Sequence, residues 1–163
     1  MCRSIRRDRA RRVGLTTEKS MKCTIFFVAL LIACAVSLGA QTIEHPAKGS
    51  AERTAILNTL RPVVETKLKQ KIVFVINTVN VQGNWVFIDG RLQTPDGKVP
   101  NWKNTPYAQA AKYGAQSDAI SALLKRSGNG WKIVTNAIGC TDVCYVDWWK
   151  RFKAPKAIFP YTE

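Results

Sequence analysis

The stretch KIVFVINTVNVQGNWVFI, residues 71–88, decides the fold because it predicts a β-hairpin in the middle of the chain. The unbroken run at 72–76 is apolar on both faces, which predicts a strand central to the sheet. Gly83-Asn84 predicts the tight turn, and the second strand begins at Trp85. Folding on this turn places two apolar pairs opposite each other on one face, Val81 with Val86 and Val79 with Ile88.

A second hairpin is predicted further along the chain. Its strands, 119–126 and 131–138, flank the turn Ser127-Gly128-Asn129-Gly130. The turn sets the register, with Leu124 opposite Ile133 and Arg126 opposite Trp131. The two hairpins together supply four antiparallel strands.

A long helix is predicted before the first hairpin. Ser50 can cap a helix that begins at Ala51. Its apolar residues keep helical spacing on both sides of Pro62, which predicts one helix bent at the proline.

Two further helices are predicted outside the hairpins. A short helix over 106–113 follows Thr105 and stops at Gly114. A closing helix, capped by Thr141 or Asp142, ends before Pro155. Its apolar face comprises Tyr145, Trp148, Trp149 and Phe152.

These elements predict an α+β domain over 51–163, preceded by a flexible lead-in at 41–50. The bent N-terminal helix packs on a curved antiparallel sheet of two hairpins, with a C-terminal helix on the same face. The insertion at 93–117 is long for a connection inside a small domain, which is typical of a segment that covers or binds something.

Several stretches of this domain carry a resemblance to a known group: ERTAILNTLRPVVE at 52–65, VNVQGNWVF at 79–87, GWKIV at 130–134 and AIGCTDV at 137–143. Over most of residues 52–152 the chain resembles a group of small secreted bacterial proteins without assigned activity. The pattern is similar to the cystatin-like and nuclear-transport-factor-2-like folds. The resemblance implies a curved sheet wrapped around a long helix, and it supplies no catalytic residue.

Residues 21–40 have the pattern of a secretory signal: a basic residue, an apolar core and small residues before Gln41. The apolar run is too short for a spanning helix, which needs about 20 apolar residues. Residues 1–20 are then sequence upstream of the true start, or a long basic n-region. Cleavage after Ala40 is favoured over a lipobox at 31–34 that would leave lipid on Cys34. We expect an exported protein, periplasmic or secreted, or alternatively lipid-anchored to the envelope.

Removal of the signal changes the charge and the cysteine count. The whole chain carries a net charge of +14, from 25 basic and 11 acidic residues. Residues 1–40 hold 8 of the basic and 2 of the acidic ones, which leaves +8 for residues 41–163. Of the five cysteines, Cys140 and Cys144 remain, and the spacing leaves open whether they form a disulfide. No metal or other cofactor is expected, since His45 is the single histidine and lies in the lead-in.

Candidate chemistry is sparse in this sequence. Without a second histidine, Ser-His-Asp or Cys-His catalysis is nearly excluded. If the fold is the curved sheet that the resemblance implies, Asp89, Asp118, Tyr107 or Tyr113 could act in acid–base catalysis inside it. Asp89 is in phase with Phe87, so an inward face would place its carboxylate in an apolar cleft with a raised pKa. The sequence favours a solvated Asp89 at a strand end before Gly90.

The strongest candidates for a binding site lie in the insertion. Trp102 stands outside any periodic pattern, and Tyr107 and Tyr113 belong to the predicted helix over 106–113. We therefore expect a non-catalytic envelope protein that binds a protein, glycan or small ligand through the mouth of the sheet and the insertion. The alternatives are a small acid–base enzyme built on Asp89 and an inhibitor of an acidic hydrolase. Nucleic acid is not expected as a partner, since the exported chain has no recognised binding motif.

Overall fold

A computed structural model describes residues 41–163 of the chain. Residues 1–20, the predicted signal segment 21–40 and its Cys34 lie outside the described residues. Within the described part, no helix is both long and apolar enough to span a membrane.

The sheet has four antiparallel strands, β1 (Val73–Gln82), β2 (Trp85–Gln93), β3 (Ala119–Ser127) and β4 (Gly130–Ile138). They pair in the order β1-β2-β3-β4, which makes β1 an edge strand. The prediction that the run at 72–76 is central to the sheet is therefore wrong, and Val73 and Val75 are 43% and 39% exposed. All four predicted cross-strand pairs are confirmed: Val81 with Val86, Val79 with Ile88, Leu124 with Ile133, and Arg126 with Trp131. Together with its helices, the sheet makes the domain α+β, as the sequence predicted.

The long helix α1 (Ala51–Leu68) runs through Pro62 as a single element. The Ser50 hydroxyl accepts a hydrogen bond from the Arg53 amide at 3.2 Å, which confirms the predicted cap. Lys69 ends the helix in the left-handed conformation, with φ 54°.

The remaining helices are shorter than predicted. Helix α2 (Ala108–Lys112) occupies the middle of the expected range. Helix α3 (Trp148–Phe152) begins well after Asp142, so the prediction that Thr141 or Asp142 caps it is wrong. The Asp142 carboxylate instead accepts a hydrogen bond from the neighbouring Val143 amide at 2.7 Å. A 3-10 helix at Lys156–Ile158 was not predicted.

The main core lies between α1 and one face of the sheet, here called the inner face. Four helix residues spaced by one turn are fully or almost fully buried there: Ile56, Leu60, Val64 and Leu68. They belong to the same cluster as Val86, Ile88 and Leu92 of β2 and Ile120, Ala122 and Leu124 of β3. This packing places α1 along the inner face, as predicted.

A second core covers the opposite face of the sheet, here called the outer face. Phe87 and Leu123 point there because alternate strand residues face opposite ways. The C-terminal segment 145–159 packs on them through Trp148, Ile158 and Phe159. The expectation of two layers with both helices on one face is therefore wrong, since the apolar outer face of β2 and β3 draws the chain terminus over it.

Gly90 permits the close approach of β1 to β2 beside an irregularity in their register. The pairing shifts between Ile76 and Thr78, which leaves Asn77 as an extra residue in β1. A Cβ atom added at Gly90 would lie 2.5 Å from the Val75 carbonyl oxygen and 2.9 Å from the Ile76 Cα. Both are backbone atoms, so neither can move aside without distorting the strand.

We therefore expect Gly90→Ala to lower the free energy of unfolding by about 1–3 kcal/mol, the usual cost of overpacking. Gly130→Ala is the matched control, because a Cβ atom at Gly130 has no neighbour within 4 Å. It should change the free energy of unfolding by less than about 0.5 kcal/mol. Urea denaturation followed by circular dichroism measures both, and equal effects of the two substitutions would contradict this account of Gly90.

Candidate functional site

The insertion is attached to the C-terminal end of α1 by a reciprocal pair of hydrogen bonds. The Gln70 side-chain amide donates to the Asn101 carbonyl at 2.8 Å, and the Asn101 amide donates to the Gln70 side-chain oxygen at 3.0 Å. Beside this attachment, Trp102 and Tyr107 are partly buried against the main core. Their rings meet edge to face with centroids 6.0 Å apart. The insertion is thus held to the domain by the hydrogen bonds between the Gln70 side chain and the Asn101 backbone and by the packing of Trp102 and Tyr107 against the core.

A groove of about 560 Å³ opens on the surface of this insertion. We call it the insertion groove. Its lining comes from the loop at 100–103 and from α2. The lining residues are Pro100, Asn101, Trp102, Lys103, Ala108, Ala111 and Lys112. The apolar part comes from Trp102 and from Ala108 and Ala111, which share one face of α2. Lys103 and Lys112 are exposed, and the lining contains no carboxylate.

The structure separates the three binding residues that the sequence singled out. Trp102 lines the insertion groove, whereas Tyr107 packs behind it against the core. Burial raises the pKa of the Tyr107 hydroxyl. Tyr113 lies outside the groove, 72% exposed, with the Lys112 ammonium 5.9 Å from its ring centroid. The sequence reasoning missed Lys103 and Lys112, although both lysines flank residues that it had singled out.

Asp89 lies on the outer face at the margin of the second core. It is half-buried, and the Ser121 hydroxyl, which is 6% exposed, donates to its Oδ1 atom at 2.9 Å. Desolvation raises the pKa of the Asp89 carboxyl, and the Ser121 hydrogen bond offsets only part of that change. The favoured prediction of a solvated Asp89 is therefore wrong. The cause is that residue 89 shares the outer face with Phe87, which the C-terminal segment covers.

Tyr145 of the C-terminal segment is the neighbour of this carboxylate. Burial, and then the negative charge of Asp89, raise the pKa of the Tyr145 hydroxyl. The Tyr145 ring packs against Phe87, with centroids 4.6 Å apart. A desolvated carboxyl and a serine hydroxyl thus form a hydrogen-bonded pair at the margin of the second core, and Tyr145 is near enough for the charge of Asp89 to raise its pKa. Sequence reasoning missed Ser121 and Tyr145 because their approach to Asp89 requires the strand pairing and the fold of the terminus.

The other candidate groups have structural partners. Asp118 forms an ion pair with Arg91 at 2.8 Å, which holds its carboxylate in place. Cys140 and Cys144 form a disulfide, with their Cα atoms 6.2 Å apart, so the pair that the sequence left open is bridged. Within residues 41–163, no group of three or more His, Cys, Asp and Glu side chains is placed to hold a metal ion.

Comparison with known proteins identifies no relative: no family model, no curated protein and no solved structure matches this chain. The resemblance to the group of small secreted bacterial proteins, and to the cystatin-like and nuclear-transport-factor-2-like folds, therefore stays a prediction.

Because the pKa of Asp89 is raised, we expect the stability of the folded protein to depend on pH. A raised pKa means that the folded protein holds the proton more tightly than the unfolded chain does. This stabilisation is present below the unfolded pKa and is lost as the pH rises through the folded pKa. Measured by chemical denaturation from about pH 3 to about pH 7, the wild type should lose stability relative to Asp89→Asn as the pH rises.

Asp96→Asn is the control for this measurement, because the surroundings of Asp96 lower its pKa, whereas those of Asp89 raise the pKa of Asp89. Hydrogen bonds from Lys98 and Thr94 lower the pKa of Asp96 to about 2. The wild type should therefore gain stability relative to Asp96→Asn as the pH rises toward the unfolded pKa. The same trend with pH for both variants would contradict the environment assigned to Asp89.

Proposed function

We propose that this protein is an exported, non-catalytic binding protein whose ligand occupies the insertion groove. The observation that carries the proposal is the composition of the groove lining, which combines apolar residues with two exposed lysines and contains no carboxylate. The pattern of residues 21–40 supports export. The net charge of +8 on residues 41–163 supports an anionic ligand.

The ligand class follows from the chemistry of the lining. The Trp102 ring and the Ala108 and Ala111 methyl groups suit a flat apolar face, such as that of a sugar ring. Lys103 and Lys112 suit a carboxylate or phosphate at the edge of that ring. An acidic glycan of the envelope, or a small ligand built from such a sugar, combines both features. The Gln70–Asn101 hydrogen bonds support a groove that is formed before the ligand arrives.

Titration calorimetry with an oligosaccharide that contains uronic acid, and with its neutral counterpart, tests the proposal. The acidic oligosaccharide should bind and the neutral one should bind weakly. Reversing both charges, Lys103→Glu with Lys112→Glu, should weaken binding about ten-fold, or about 1.4 kcal/mol. Trp102→Phe keeps an aromatic ring against the core and should weaken binding without unfolding the domain.

Lys132→Glu is the matched control, since Lys132 is an exposed lysine on β4 and lines no part of the groove. It makes the same change in charge as either single reversal and should leave the affinity unchanged within about two-fold. If Lys132→Glu and Lys112→Glu lost the same affinity, the effect would come from the net charge of the protein and not from the groove. Such a result, or binding that is indifferent to the uronic acid, would overturn the proposal.

We propose as a second candidate an acid–base site formed by Asp89, Ser121 and Tyr145. The observation that favours it is the half-buried Asp89 carboxylate, which makes no salt bridge among the described residues and has a raised pKa. Such a group can exchange a proton at a pH closer to neutrality than an ordinary aspartate can.

A chromogenic ester and a chromogenic glycoside, assayed as a function of pH, test this second candidate. Activity should be lost in Asp89→Asn and retained in the Lys103→Glu, Lys112→Glu variant, which leaves the outer face intact. The rate should follow the titration of a single carboxyl with a raised pKa. Turnover that survives in Asp89→Asn would contradict the assignment.

A further inference from the structure

Strand β1 is an edge of the sheet, and the lead-in pairs with only one position on it. Glu44 and Val81 exchange two backbone hydrogen bonds, of 2.8 and 2.9 Å. The lead-in then turns away at Pro46, whose carbonyl accepts a hydrogen bond from the Arg53 guanidinium at 3.2 Å. Among residues 41–163, no other strand pairs with this edge.

The register identifies the backbone groups that β1 leaves open. The Leu92 amide donates toward β3, to the Asp118 carbonyl at 2.8 Å, so the neighbouring Arg91 and Gln93 direct their backbone groups toward β1. Their partners Val75 and Val73 therefore bond to β2. The alternate residues Phe74 and Ile76 direct their N–H and C=O groups to the outside. Val79 does the same, two residues from the Val81 that bonds to the lead-in.

A groove of about 460 Å³ follows this open edge, between β1 and the N-terminal half of α1. We call it the edge groove. Its apolar wall comes from Leu57, Phe74 and Ile76, and Lys48 and Arg53 stand at its rim. A second cavity of about 560 Å³, which shares Lys48 and Arg53, continues the groove past Thr78 and Val79. The two cavities together run along the open backbone groups.

Charge and exposure indicate what can occupy the edge groove. No aspartate or glutamate lines either cavity, whereas Lys48 and Arg53 line both. Val73 and Val75 also line the edge groove, and their side chains, which alternate with those of Phe74 and Ile76 along the strand, are 43% and 39% exposed. An extended segment with acidic residues on one side and apolar residues on the other matches this pattern. A second copy of the chain would bring its own Lys48 and Arg53 against the same cations, which opposes self-association.

We propose that the open edge of β1 binds an acidic, extended peptide segment of a partner protein by strand addition. The peptide backbone pairs with the outward groups of Phe74 and Ile76, which supplies affinity that is independent of sequence. Its acidic side chains face Lys48 and Arg53 at the edge groove, and its apolar side chains, on the other side of the added strand, lie beside the exposed Val73 and Val75. The extra residue at Asn77 interrupts the ladder, so the added strand is short, about four to six residues. This site is distinct from the insertion groove and does not depend on it.

The probe is a fluorescein-labelled peptide of about eight residues in which Val and Glu alternate, titrated against the full chain by anisotropy. We expect saturable binding, with NMR shift changes concentrated at Phe74, Ile76 and Val79. The same peptide methylated on alternate backbone nitrogens keeps its charges but cannot complete the ladder, and it should bind at least about ten-fold more weakly. A peptide with Lys in place of Glu should not bind.

Two substitutions that make the same change in charge distinguish binding at the edge of β1 from a general effect of the protein's charge. Lys48→Glu should weaken peptide binding about five-fold. Lys132→Glu, on the opposite edge strand β4, should leave it unchanged. Equal effects of the two substitutions, or tight binding of the methylated peptide, would overturn the proposal. So would a dimer in sedimentation that Val75→Glu dissociates, because the occupant would then be a second copy of the chain.

Discussion

The two central strands, β2 and β3, carry apolar side chains on both faces, so the sheet requires a covering layer on each side. Val86 and Ile88 are buried under α1, while Phe87 between them is buried on the opposite face. Full burial of a single large apolar side chain contributes about 1.5–3 kcal/mol, a sizeable part of the stability of a small domain. A helix on one side cannot satisfy this requirement, and the C-terminal segment folds back to cover Phe87 and Leu123.

The two covering layers are unequal, and both candidate sites and the open edge follow from that inequality. Helix α1 spans the inner face, and the insertion attaches to its end through Gln70, which produces the insertion groove. The C-terminal segment covers the outer face around Phe87 and leaves Asp89 half-buried at its margin. Among residues 41–163 only the lead-in reaches the edge of β1, at Val81, so within this part of the chain no strand pairs with the backbone groups of Phe74 and Ile76. Each proposed site therefore lies at the margin of one of the two covering layers.

Local patterns in the sequence were sufficient to predict the two hairpins, but not how β2 pairs with β3 or what covers the outer face of the sheet. The turns at Gly83-Asn84 and Ser127–Gly130 determine strand register through short-range geometry, and all four predicted pairs are confirmed. The covering of Phe87 by Ile158 and Phe159 joins residues about 70 positions apart, which no local period encodes. A signal was nonetheless present, because Val86-Phe87-Ile88 and Ala122-Leu123-Leu124 are apolar at consecutive positions. In β2 and β3 these runs are covered on both faces, and they could have predicted a third layer and a desolvated Asp89. The similar run at 72–76 lies on an edge strand, where Val73 and Val75 are exposed.

Amide hydrogen exchange of the full chain, resolved residue by residue, tests the central claim that two layers bury β2 and β3 while one edge of β1 stays open. The account predicts slow exchange for Val86, Phe87 and Leu123, in the doubly covered strands. It also predicts alternation along β1, with Val73 and Val75 protected by β2 and with Phe74 and Ile76 exchanging about a hundred-fold faster. Uniform protection along β1, or fast exchange at Phe87, would contradict it.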